Sequence, residues 1–530
     1  MGTYQWMVFV LVGIIAVFSA ESINMNFVGA SPEHWCQVEE LANFSHAQQK
    51  YIAVPLDSDG EYEECKQYNI NYTAYSLEDL ITWNRTQHDN SSIRDCDNGW
   101  IYDQSQYVNT VASRLDLVCG QKELVSLIST MFMAGILVGA VLTGYLSDKF
   151  GRHKAMYATV LLRLAAMLMN TFPINYPWVA VTRFLLGVGN SGSFLTGFIL
   201  VMEIVPPNMR ATLGIVYQVD FSVGFMLWPA LAYFIRDDVH LQLVVAVPLF
   251  VLLTFWWTID ESPRWYLMQH RFNEAEAIFR RIARINNAEL PEDFDIMSVQ
   301  MEEQEKSTKT CFDLMKSKRM FWRTLIIDLH WFSDSLMYYA LSLNSDNLFG
   351  NIYLNTAILG AVEIPANFIA IFMLNWRVTG RRYTCSLSLI IAGLASLVTI
   401  YLILEDMGLT YTIFTMVAKA FVSVGFNSIY VFTTEIMPTE VRNIGLGTAS
   451  MCARVSGMIA PFIGGPLADV WEPLPPLVCG SLALVSGSLT LLLPETLGKN
   501  LPSTIEEAEA FEGSSKARVE AVQVDESTKL

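Results

Sequence analysis

The segment Glu203-Ile-Val-Pro-Pro-Asn-Met-Arg210 is matched 232 residues later by Glu435-Ile-Met-Pro-Thr-Glu-Val-Arg442. Gly151-Arg152 is likewise matched by Gly380-Arg381, which lies 229 residues further along the chain. The similar separations indicate one unit that occurs twice in the same order. Internal repeats of this kind, when their segments are strongly apolar, are typical of membrane proteins built from two related halves. The sequence therefore predicts two similar halves.

The composition indicates a membrane protein. Of the 530 residues, 52% are hydrophobic and only 16% are charged, whereas about a quarter of a typical soluble domain is charged. The formal net charge of -18 arises from acids concentrated in a few polar segments. Because no basic patch or stripe accompanies them, nucleic acid is excluded as a partner, and the lipid bilayer is the expected surrounding.

Twelve apolar stretches are long enough to cross about 30 Å of hydrocarbon, which takes roughly 20 helical residues. They are too long and too uniform for barrel strands. The sequence therefore predicts an all-α membrane protein with twelve transmembrane helices in two six-helix halves. The stretches are Trp6–Phe27, Leu124–Leu146, Ala155–Phe172, Trp178–Met202, Ala211–Phe234, Leu241–Ile259, Trp322–Leu343, Ile352–Leu374, Tyr383–Leu404, Tyr411–Phe432, Ile444–Leu467 and Leu474–Leu493.

These stretches divide the chain into six segments. The first is interpreted as an uncleaved helix rather than a signal peptide, because Met1–Gln5 has no Lys or Arg and Phe18 occupies a position where cleavage requires a small residue. Within the linker, Asn273–Ile285 has an amphipathic helical pattern, and the acidic tail after Leu501 is predicted to be disordered. The segments are a first helix (1–27), a polar loop (28–122), helices two to six (123–259), a linker (260–321), helices seven to twelve (322–493) and a tail (494–530).

The polar loop is predicted to be extracellular. It carries four glycosylation sequons, at Asn43, Asn71, Asn84 and Asn90. It also holds half of the eight cysteines, and an even set in an oxidising space predicts two disulfides with three possible pairings. These cysteines are Cys36, Cys65, Cys96 and Cys119.

The positions of Lys and Arg in the short loops predict that both termini lie on the cytoplasmic side, opposite the polar loop. Bases cluster after helix two (Lys149, Arg152, Lys154), after helix eight (Arg377, Arg381, Arg382) and in the linker. All three regions lie on one side if the helices alternate in direction, and the positive-inside rule makes that side cytoplasmic.

Several motifs resemble those of a known superfamily. Gly144-Tyr-Leu-Ser-Asp-Lys-Phe-Gly-Arg-His-Lys154 resembles the signature of the major facilitator superfamily, and Arg183-x-x-x-Gly187-x-Gly189 resembles its second motif. Glu261-Ser-Pro-Arg-Trp265, the cysteine-bearing loop and Thr434-Glu-Ile-Met-Pro-Thr-Glu-Val-Arg-Asn443 resemble the organic cation, carnitine and organic anion transporter family, of the solute carrier 22 type. The resemblance runs from about Pro32 to Pro502 and is nearest to the organic cation/carnitine branch.

The resemblance implies a plasma-membrane transporter that moves small organic ions by alternating access. Gradients would supply the energy, because the sequence lacks a phosphate-binding loop for ATP, and sodium and protons are the candidate coupling ions. No cofactor, metal site or enzymatic activity is expected.

Charged pairs at the predicted cytoplasmic ends of helices are candidates for a gate. Such pairs would hold the halves together in one state and break in the other. The alternative is that the charges only determine orientation. The pairs are Asp148 with Arg152, Glu203 with Arg210, and Glu435 with Arg442.

Five ionisable residues are expected near the bilayer centre, where a charge costs about 2.5–3.5 kcal/mol on insertion scales. They are Asp220, Asp334, Glu363, Lys419 and Arg454. We expect them to face the bundle interior and to bind substrate. The alternative is a structural network, for instance Asp334 with Lys419.

The family resemblance assigns expectations to three of these residues. Val362-Glu-Ile-Pro365 matches a pattern linked to cation recognition, and Trp331-Phe-Ser-Asp-Ser335 resembles a pattern of cation transporters. Arg454 stands where cation transporters carry an acid and where carnitine and organic anion transporters carry Arg. Asp220 departs from the family pattern.

A zwitterion such as carnitine needs an Arg for its carboxylate and aromatic or acidic groups for its ammonium. Arg454 provides the first pole, and Glu363, Asp220 and the tyrosines provide the second. The sequence thus predicts a transporter of small organic cations and zwitterions. The alternatives are an organic anion exchanger and a substrate sensor that no longer transports. The aromatic cage would draw on Tyr338 and Tyr339 together with Tyr217, Phe221, Trp228 and Trp331, although aromatics also fill bundles in general.

Overall fold

A computed structural model describes residues 1–56, 60, 62–83, 92–288, 317–343, 345, 348–499 and 501–510. Across these residues, a long helix occupies each of the twelve predicted stretches, which confirms the fold class. The helices are α1 (Thr3–Phe18), α2 (Glu123–Phe150), α3 (Arg152–Asn170), α4 (Tyr176–Ile204), α5 (Pro207–Phe234), α6 (Asp238–Thr254), α7 (Lys318–Leu343), α8 (Ile352–Asn375), α9 (Gly380–Leu404), α10 (Gly408–Ile436), α11 (Arg442–Gly464) and α12 (Leu474–Thr490).

Eight helical segments of the described chain are long and apolar enough to cross a membrane, and α6 and α12 are shorter apolar helices. The remaining two, α3 and α7, carry more charge. Arg163 of α3 and Asp334 of α7 are fully buried, so these charges face the protein interior. A charged residue that is shielded from lipid by its neighbours is compatible with a spanning helix.

The first predicted helix, 1–27, is interrupted. α1 ends at Phe18 and is followed by a 3-10 turn, Ala20–Asn24, and a short helix, Met25–Val28. The hydroxyl of Ser19 donates a hydrogen bond to the carbonyl oxygen of Ile15 at 2.6 Å. The interruption brings Ser19 and Ser22 to the centre of the molecule, where they line a cavity.

Glycine allows close contact between helices of the first half. A Cβ atom on Gly135 of α2 would lie 2.1 Å from the carbonyl oxygen of Phe184, and one on Gly187 of α4 would lie 2.1 Å from that of Phe132. Any larger residue would therefore separate α2 from α4. Close backbone approach at small residues is how helices pack where lipid supplies no hydrophobic driving force.

In the predicted orientation, the two halves (α1–α6 and α7–α12) contact each other near the extracellular face. Lys122 forms an ion pair with Asp469 at 2.8 Å. Asn26 donates hydrogen bonds to Ser342 at 2.8 Å and to Ser345 at 2.9 Å. The hydrogen bonds that join the halves, among the residues described, lie between this face and mid-depth. In the predicted orientation, the extracellular side is therefore the closed side in this conformation.

The cysteine-bearing loop forms a small folded unit. Strand β1 (His34–Cys36) pairs with β4 (Trp100–Tyr102), and β2 (Lys66–Tyr68) pairs with β3 (Ile93–Asp95). Disulfides join Cys36 to Cys96 and Cys65 to Cys119, which selects one of the three possible pairings. Asn43 and Asn71 are exposed, whereas Asn84 and Asn90 lie outside the described residues.

Two segments outside the bundle pack against it. The amphipathic linker helix is confirmed as Phe272–Ile285, and its Arg281 forms an ion pair with Asp260 at 2.5 Å. The prediction of disorder after Leu501 is wrong for Ile505–Ala510, which is helical, because Ile505 and Ala508 are buried in an apolar cluster of the second half. The rest of the tail, 511–530, lies outside the described residues.

Candidate functional site

A central cavity of about 200 Å³ lies between the halves. Its wall is formed by the interruption after α1 and by α2, α4 and α5 from the first half, and by α7, α8, α10 and α11 from the second. Among the predicted binding residues, the wall includes Tyr338, Tyr339, Glu363 and Arg454. The cavity therefore brings together side chains that lie more than 100 residues apart in the sequence.

Glu363 is the centre of a buried polar cluster. One of its carboxylate oxygens accepts a hydrogen bond from the Tyr338 hydroxyl at 2.6 Å and lies 3.0 Å from Nζ of Lys419. The other oxygen accepts a hydrogen bond from Ser222 of the first half at 2.9 Å. Lys419 also donates to Ser342 at 2.7 Å. Because Lys419 is its ion-pair partner, the charge of Glu363 is compensated inside the protein.

Arg454 has a different environment. Its guanidinium donates to the backbone carbonyl of Ser450 at 2.9 Å and also to the Ser450 hydroxyl. No carboxylate of the described residues lies within ion-pair distance, and the buried Nε has no hydrogen-bond partner there. Arg454 is thus a cation at the cavity wall that has no anionic partner in the described part of the chain.

Asp220 and Asp334 lie outside the cavity wall, which corrects the prediction that both are substrate ligands. On α5, Gln218 and Ser222 face the cavity, so Asp220 points away from it and towards α1. Its Oδ2 lies 3.0 Å from the position that a Cβ on Gly13 would take. Positions two residues apart on a helix do not share a face.

Asp334 is directed towards α10 rather than the cavity. Its Oδ1 lies 3.1 Å from the position of a Cβ on Gly425, and both carboxylate oxygens are buried without a hydrogen-bond partner among the residues described. The alternative pairing of Asp334 with Lys419 is not formed, because Lys419 pairs with Glu363 instead. Lys419 contributes to the cavity only through Glu363 and Tyr338, since it does not line the wall.

Aromatic rings form one side of the cavity. Trp331 of α7 packs edge-on against Tyr430 of α10 with ring centroids 4.2 Å apart, and Phe426 lies 5.9 Å from Tyr338. Sequence reasoning missed Phe426 and Tyr430, although both lie on the face of α10 that Ser423 and Asn427 share. An i, i+3, i+4, i+7 pattern starting at Ser423 is the signal that identifies this face.

Two residues of the expected aromatic cage belong to the packed core instead. Tyr217 is fully buried and donates a hydrogen bond to the carbonyl oxygen of Phe194 at 3.0 Å. Trp228 lies in an apolar cluster with Phe225. Of the first-half aromatics in that cage, Phe221 alone lines the cavity. The ordinary packing role therefore applies to Tyr217 and Trp228.

A buried ion pair in the first half was not anticipated. Glu21, directly after α1, lies 3.2 Å from the guanidinium of Arg163 on α3, and both side chains are almost completely buried. An acid inside an otherwise apolar stretch was the available signal in the sequence. The pair fixes the interrupted end of α1 against α3.

The predicted gate residues form a network within each half. Arg152 forms ion pairs with Asp148 at 2.8 Å and with Glu203 at 3.3 Å. Glu261 accepts hydrogen bonds from the backbone amides of Arg152 and His153 at 2.7 and 3.0 Å, and burial raises the pKa of its carboxyl group. A carboxylate at the N-terminus of α3 is favourably placed relative to the helix dipole.

The second half repeats this arrangement. Arg381 forms an ion pair with Glu435 at 3.2 Å, and Glu495 accepts hydrogen bonds from the backbone amides of Arg381 and Arg382 at 2.9 and 3.0 Å. Glu495 therefore corresponds to Glu261. In the sequence, Pro494-Glu-Thr496 after α12 matches Glu261-Ser-Pro-Arg264 only loosely.

The predicted pairings of Glu203 with Arg210 and of Glu435 with Arg442 are wrong in this conformation. Arg210 donates to the carbonyl oxygen of Val205 at 3.3 Å, and Arg442 donates to that of Met437 at 3.3 Å. A proline ends the helix after each Glu, so the Arg side chain follows the turn while the Glu side chain points to Arg152 or Arg381. Among the residues that the structure describes, each network stays inside one half and does not bridge the halves.

Twelve membrane helices in two related halves around a central cavity define a transporter of the major facilitator class. A family model described as "Sugar (and other) transporter" matches residues 55–507. The chain is 36% identical over 461 residues to "Organic cation transporter protein" of Drosophila melanogaster, covering 85% of this chain and 82% of that protein. It therefore belongs to the sugar (and other) transporter family.

Further relatives define the subfamily. The chain is 33% identical to "Solute carrier family 22 member 6-B" of Xenopus laevis, covering 96% of this chain and 93% of that protein. It is 31% identical to "Organic cation/carnitine transporter 2" of Mus musculus, covering 98% and 94%. The chain is a multi-pass membrane protein of solute carrier family 22, as its motifs indicated.

The fold also has solved counterparts. The inward open conformation of the xylose transporter XylE from E. coli matches with a TM-score of 0.59 and 16% identity, covering 95% of this chain and 98% of that chain. A partially occluded inward open conformation of the same transporter matches with a TM-score of 0.58 and 15% identity. At this identity the likeness concerns the fold alone.

Proposed function

We propose that this protein is a secondary transporter of small organic zwitterions and cations, which it carries across the plasma membrane by alternating access. The proposal rests on a difference between the two charged residues at the cavity wall, Arg454 and Glu363, in whether they have an ion-pair partner. Arg454 has no acidic partner among the described residues, whereas Glu363 is paired with Lys419. The cavity therefore presents an open site for a carboxylate and a second site where a substrate ammonium competes with Lys419.

The charge balance favours substrates that carry a carboxylate. Arg454, Lys419 and Glu363 together bear one net positive charge, which one carboxylate neutralises. The ammonium of a zwitterion, which competes with Lys419 for Glu363, is also attracted by the rings of Trp331, Phe426 or Tyr430, since aromatic faces attract quaternary ammonium groups. A simple cation without a carboxylate would be repelled by Arg454, so we expect it to be the weaker substrate.

A second candidate is the exchange of organic anions. The specific observation in its favour is that Lys419 compensates Glu363, which leaves Arg454 as the uncompensated charge at the wall. A relative is named "Organic cation transporter protein" and another "Organic cation/carnitine transporter 2", which supports cations and zwitterions instead. A substrate sensor that does not transport is the third candidate.

Uptake measurements in one cell line distinguish these candidates. Radiolabelled carnitine, tetraethylammonium and benzoate would be tested with and without sodium, against cells that carry the empty vector. The proposal expects carnitine uptake to exceed that of the other two. Uptake of benzoate alone would establish the anion exchanger, and absence of all uptake at normal surface expression would favour the sensor. A membrane potential of 100 mV contributes about 2.3 kcal/mol per transported charge, so depolarisation reveals whether net charge moves.

A further inference from the structure

A cleft opens at the predicted cytoplasmic ends of α7 and α12, and it shares no lining residue with the central cavity. Lys318, Arg319 and Arg323, from the first two turns of α7, form its basic rim. The floor is apolar and includes Trp322 and Leu325 of α7, together with leucines at the end of α12. The tail helix Ile505–Ala510 contributes Glu509, the one acid among the residues that line the cleft.

The apolar floor is open on the side where the bilayer surrounds the protein. Trp322 is 53% exposed, Leu325 is 45% exposed and Leu492 is 73% exposed. A contiguous apolar surface beside a basic rim, at the boundary between lipid and water, matches both parts of a phospholipid. Tryptophan is also enriched at this boundary because its ring is apolar and its N–H is polar.

The basic rim lies at the N-terminal end of α7, where the helix dipole does not stabilise positive charge. Lys318 and Arg319 are the first two residues of α7, so they stand at the positive end of the helix dipole. No acid lies in this first turn to compensate them. Cations there are unfavourable, whereas an anion is stabilised by the dipole and by the backbone amides at the helix start. A phosphate bound between these side chains would compensate their positive charges and would itself be stabilised by the dipole.

The tail helix orients the guanidiniums. Arg319 donates to the carbonyl oxygen of Glu509 at 3.0 Å, and Arg323 donates to that of Ala508. These carbonyls belong to the C-terminal end of the helix, where cations are favoured. A guanidinium has five N–H donors, and among the described residues Arg319 uses one of its NH groups for this bond, so donors remain for an anion.

We propose that this cleft binds an anionic phospholipid of the cytoplasmic leaflet. The headgroup phosphate lies between Lys318 and Arg319, and an acyl chain covers Trp322, Leu325 and Leu492. Basic pockets between helices on the cytoplasmic side are suited to anionic headgroups. The corresponding start of α1, Gly2–Trp6, carries no base, so the site belongs to the second half. The proposal is independent of which substrate is transported.

The test uses the purified full-length chain in detergent and measures the thermal transition by intrinsic fluorescence. Short-chain phosphatidylserine is titrated, with short-chain phosphatidylcholine and inorganic phosphate as separate arms. The variant is Lys318→Gln/Arg319→Gln. The matched control is Lys154→Gln/Arg377→Gln, which removes one exposed Lys and one exposed Arg from the same face outside the cleft.

Phosphatidylserine is expected to raise the midpoint of the wild-type chain, because a ligand that binds only the folded state stabilises it. The cleft variant should need roughly thirtyfold more lipid for the same shift, and the control should match the wild type. If the cleft variant does not purify as a folded chain, Lys318→Gln alone should need roughly fivefold more. Equal losses in both double variants, or an equal response to phosphatidylcholine or to inorganic phosphate, would overturn the proposal.

Discussion

Nζ of Lys419 on α10 lies 3.0 Å from a carboxylate oxygen of Glu363 on α8, and both side chains are buried. The ammonium also lies 3.1 Å from the centroid of the Tyr338 ring. A buried ion pair is costly to break from one side, because the remaining charge is left uncompensated, at about 3–5 kcal/mol. Removing either charge of this pair is therefore expected both to destabilise the second half and to change the net charge at the cavity.

The first prediction concerns Glu363→Gln. The variant leaves Lys419 without its carboxylate partner, so cation uptake should fall far more than anion uptake. The measurement is uptake of tetraethylammonium and benzoate, normalised to surface protein. The double variant Glu363→Gln/Lys419→Met removes both charges and should restore the stability that the single variant loses. Equal losses of cation and anion uptake would assign Glu363 a structural role only.

The second prediction separates the two members of the first-half network that contact Arg152. Asp148 is 75% exposed at its side chain, and an exposed ion pair contributes at most about 1 kcal/mol. Asp148→Asn should therefore slow transport by about fivefold or less, with surface delivery intact. Glu203→Gln should slow it more, because Glu203 is mostly buried beside Arg152.

Arg210→Gln is the matched control for these gate variants. Its guanidinium donates to a backbone carbonyl and forms no ion pair with Glu203 in the described structure, so uptake should change less than in Glu203→Gln. Unaltered uptake in Asp148→Asn and Glu203→Gln at equal surface expression would mean that these charges only determine orientation.

The third prediction tests the orientation of the cysteine-bearing loop. Asn71 is exposed, and its side chain accepts a hydrogen bond from the Thr73 hydroxyl at 2.6 Å within the sequon. Asn43→Gln and Asn71→Gln should each increase gel mobility by one glycan, and glycosidase treatment should remove the difference from the wild type. An unchanged mobility in both variants would contradict an extracellular loop.

Much of the fold was predictable because its signals are local. The length of an apolar stretch determines whether it spans the bilayer, and the repeat at Glu203 and Glu435 identifies the two halves. The direction of a side chain depends on helix rotation and on neighbours that the sequence does not specify. The sequence therefore placed Asp220 in the cavity, although it faces α1. For Lys419 it left two alternatives open, an ion pair with Asp334 and direct contact with substrate.

The partners of the gate residues illustrate the same limit. Glu203 and Arg210 are close in sequence, yet the proline turn directs Glu203 towards Arg152, which is 51 residues away. Phe426 and Tyr430 carry no charge, so the helical pattern that starts at Ser423 groups them on one face but does not distinguish a cavity face from ordinary packing. Only the assembled bundle shows that they face Trp331 across the cavity wall.

The last prediction concerns Arg454, whose planar guanidinium can hold a carboxylate through two parallel hydrogen bonds. Lysine keeps the charge but loses this geometry. Because one charge-assisted hydrogen bond contributes about 1.5–3 kcal/mol, Arg454→Lys should weaken carnitine binding by roughly tenfold or more. Arg454→Asp should abolish carnitine uptake and spare or improve tetraethylammonium uptake, since the reversed charge repels carboxylates and attracts cations.

A structural role for Arg454 makes a different prediction. Its guanidinium donates to the carbonyl oxygen of Ser450 on the same helix, so a purely structural arginine would stabilise α11 and both variants would lose surface protein for every substrate. Surface biotinylation beside uptake of carnitine and tetraethylammonium separates the two roles. Because the described structure gives Arg454 no acidic partner, removal of its charge leaves no carboxylate uncompensated there, and we expect normal surface levels. Equal losses of both substrates at normal surface levels would contradict the carboxylate-binding role.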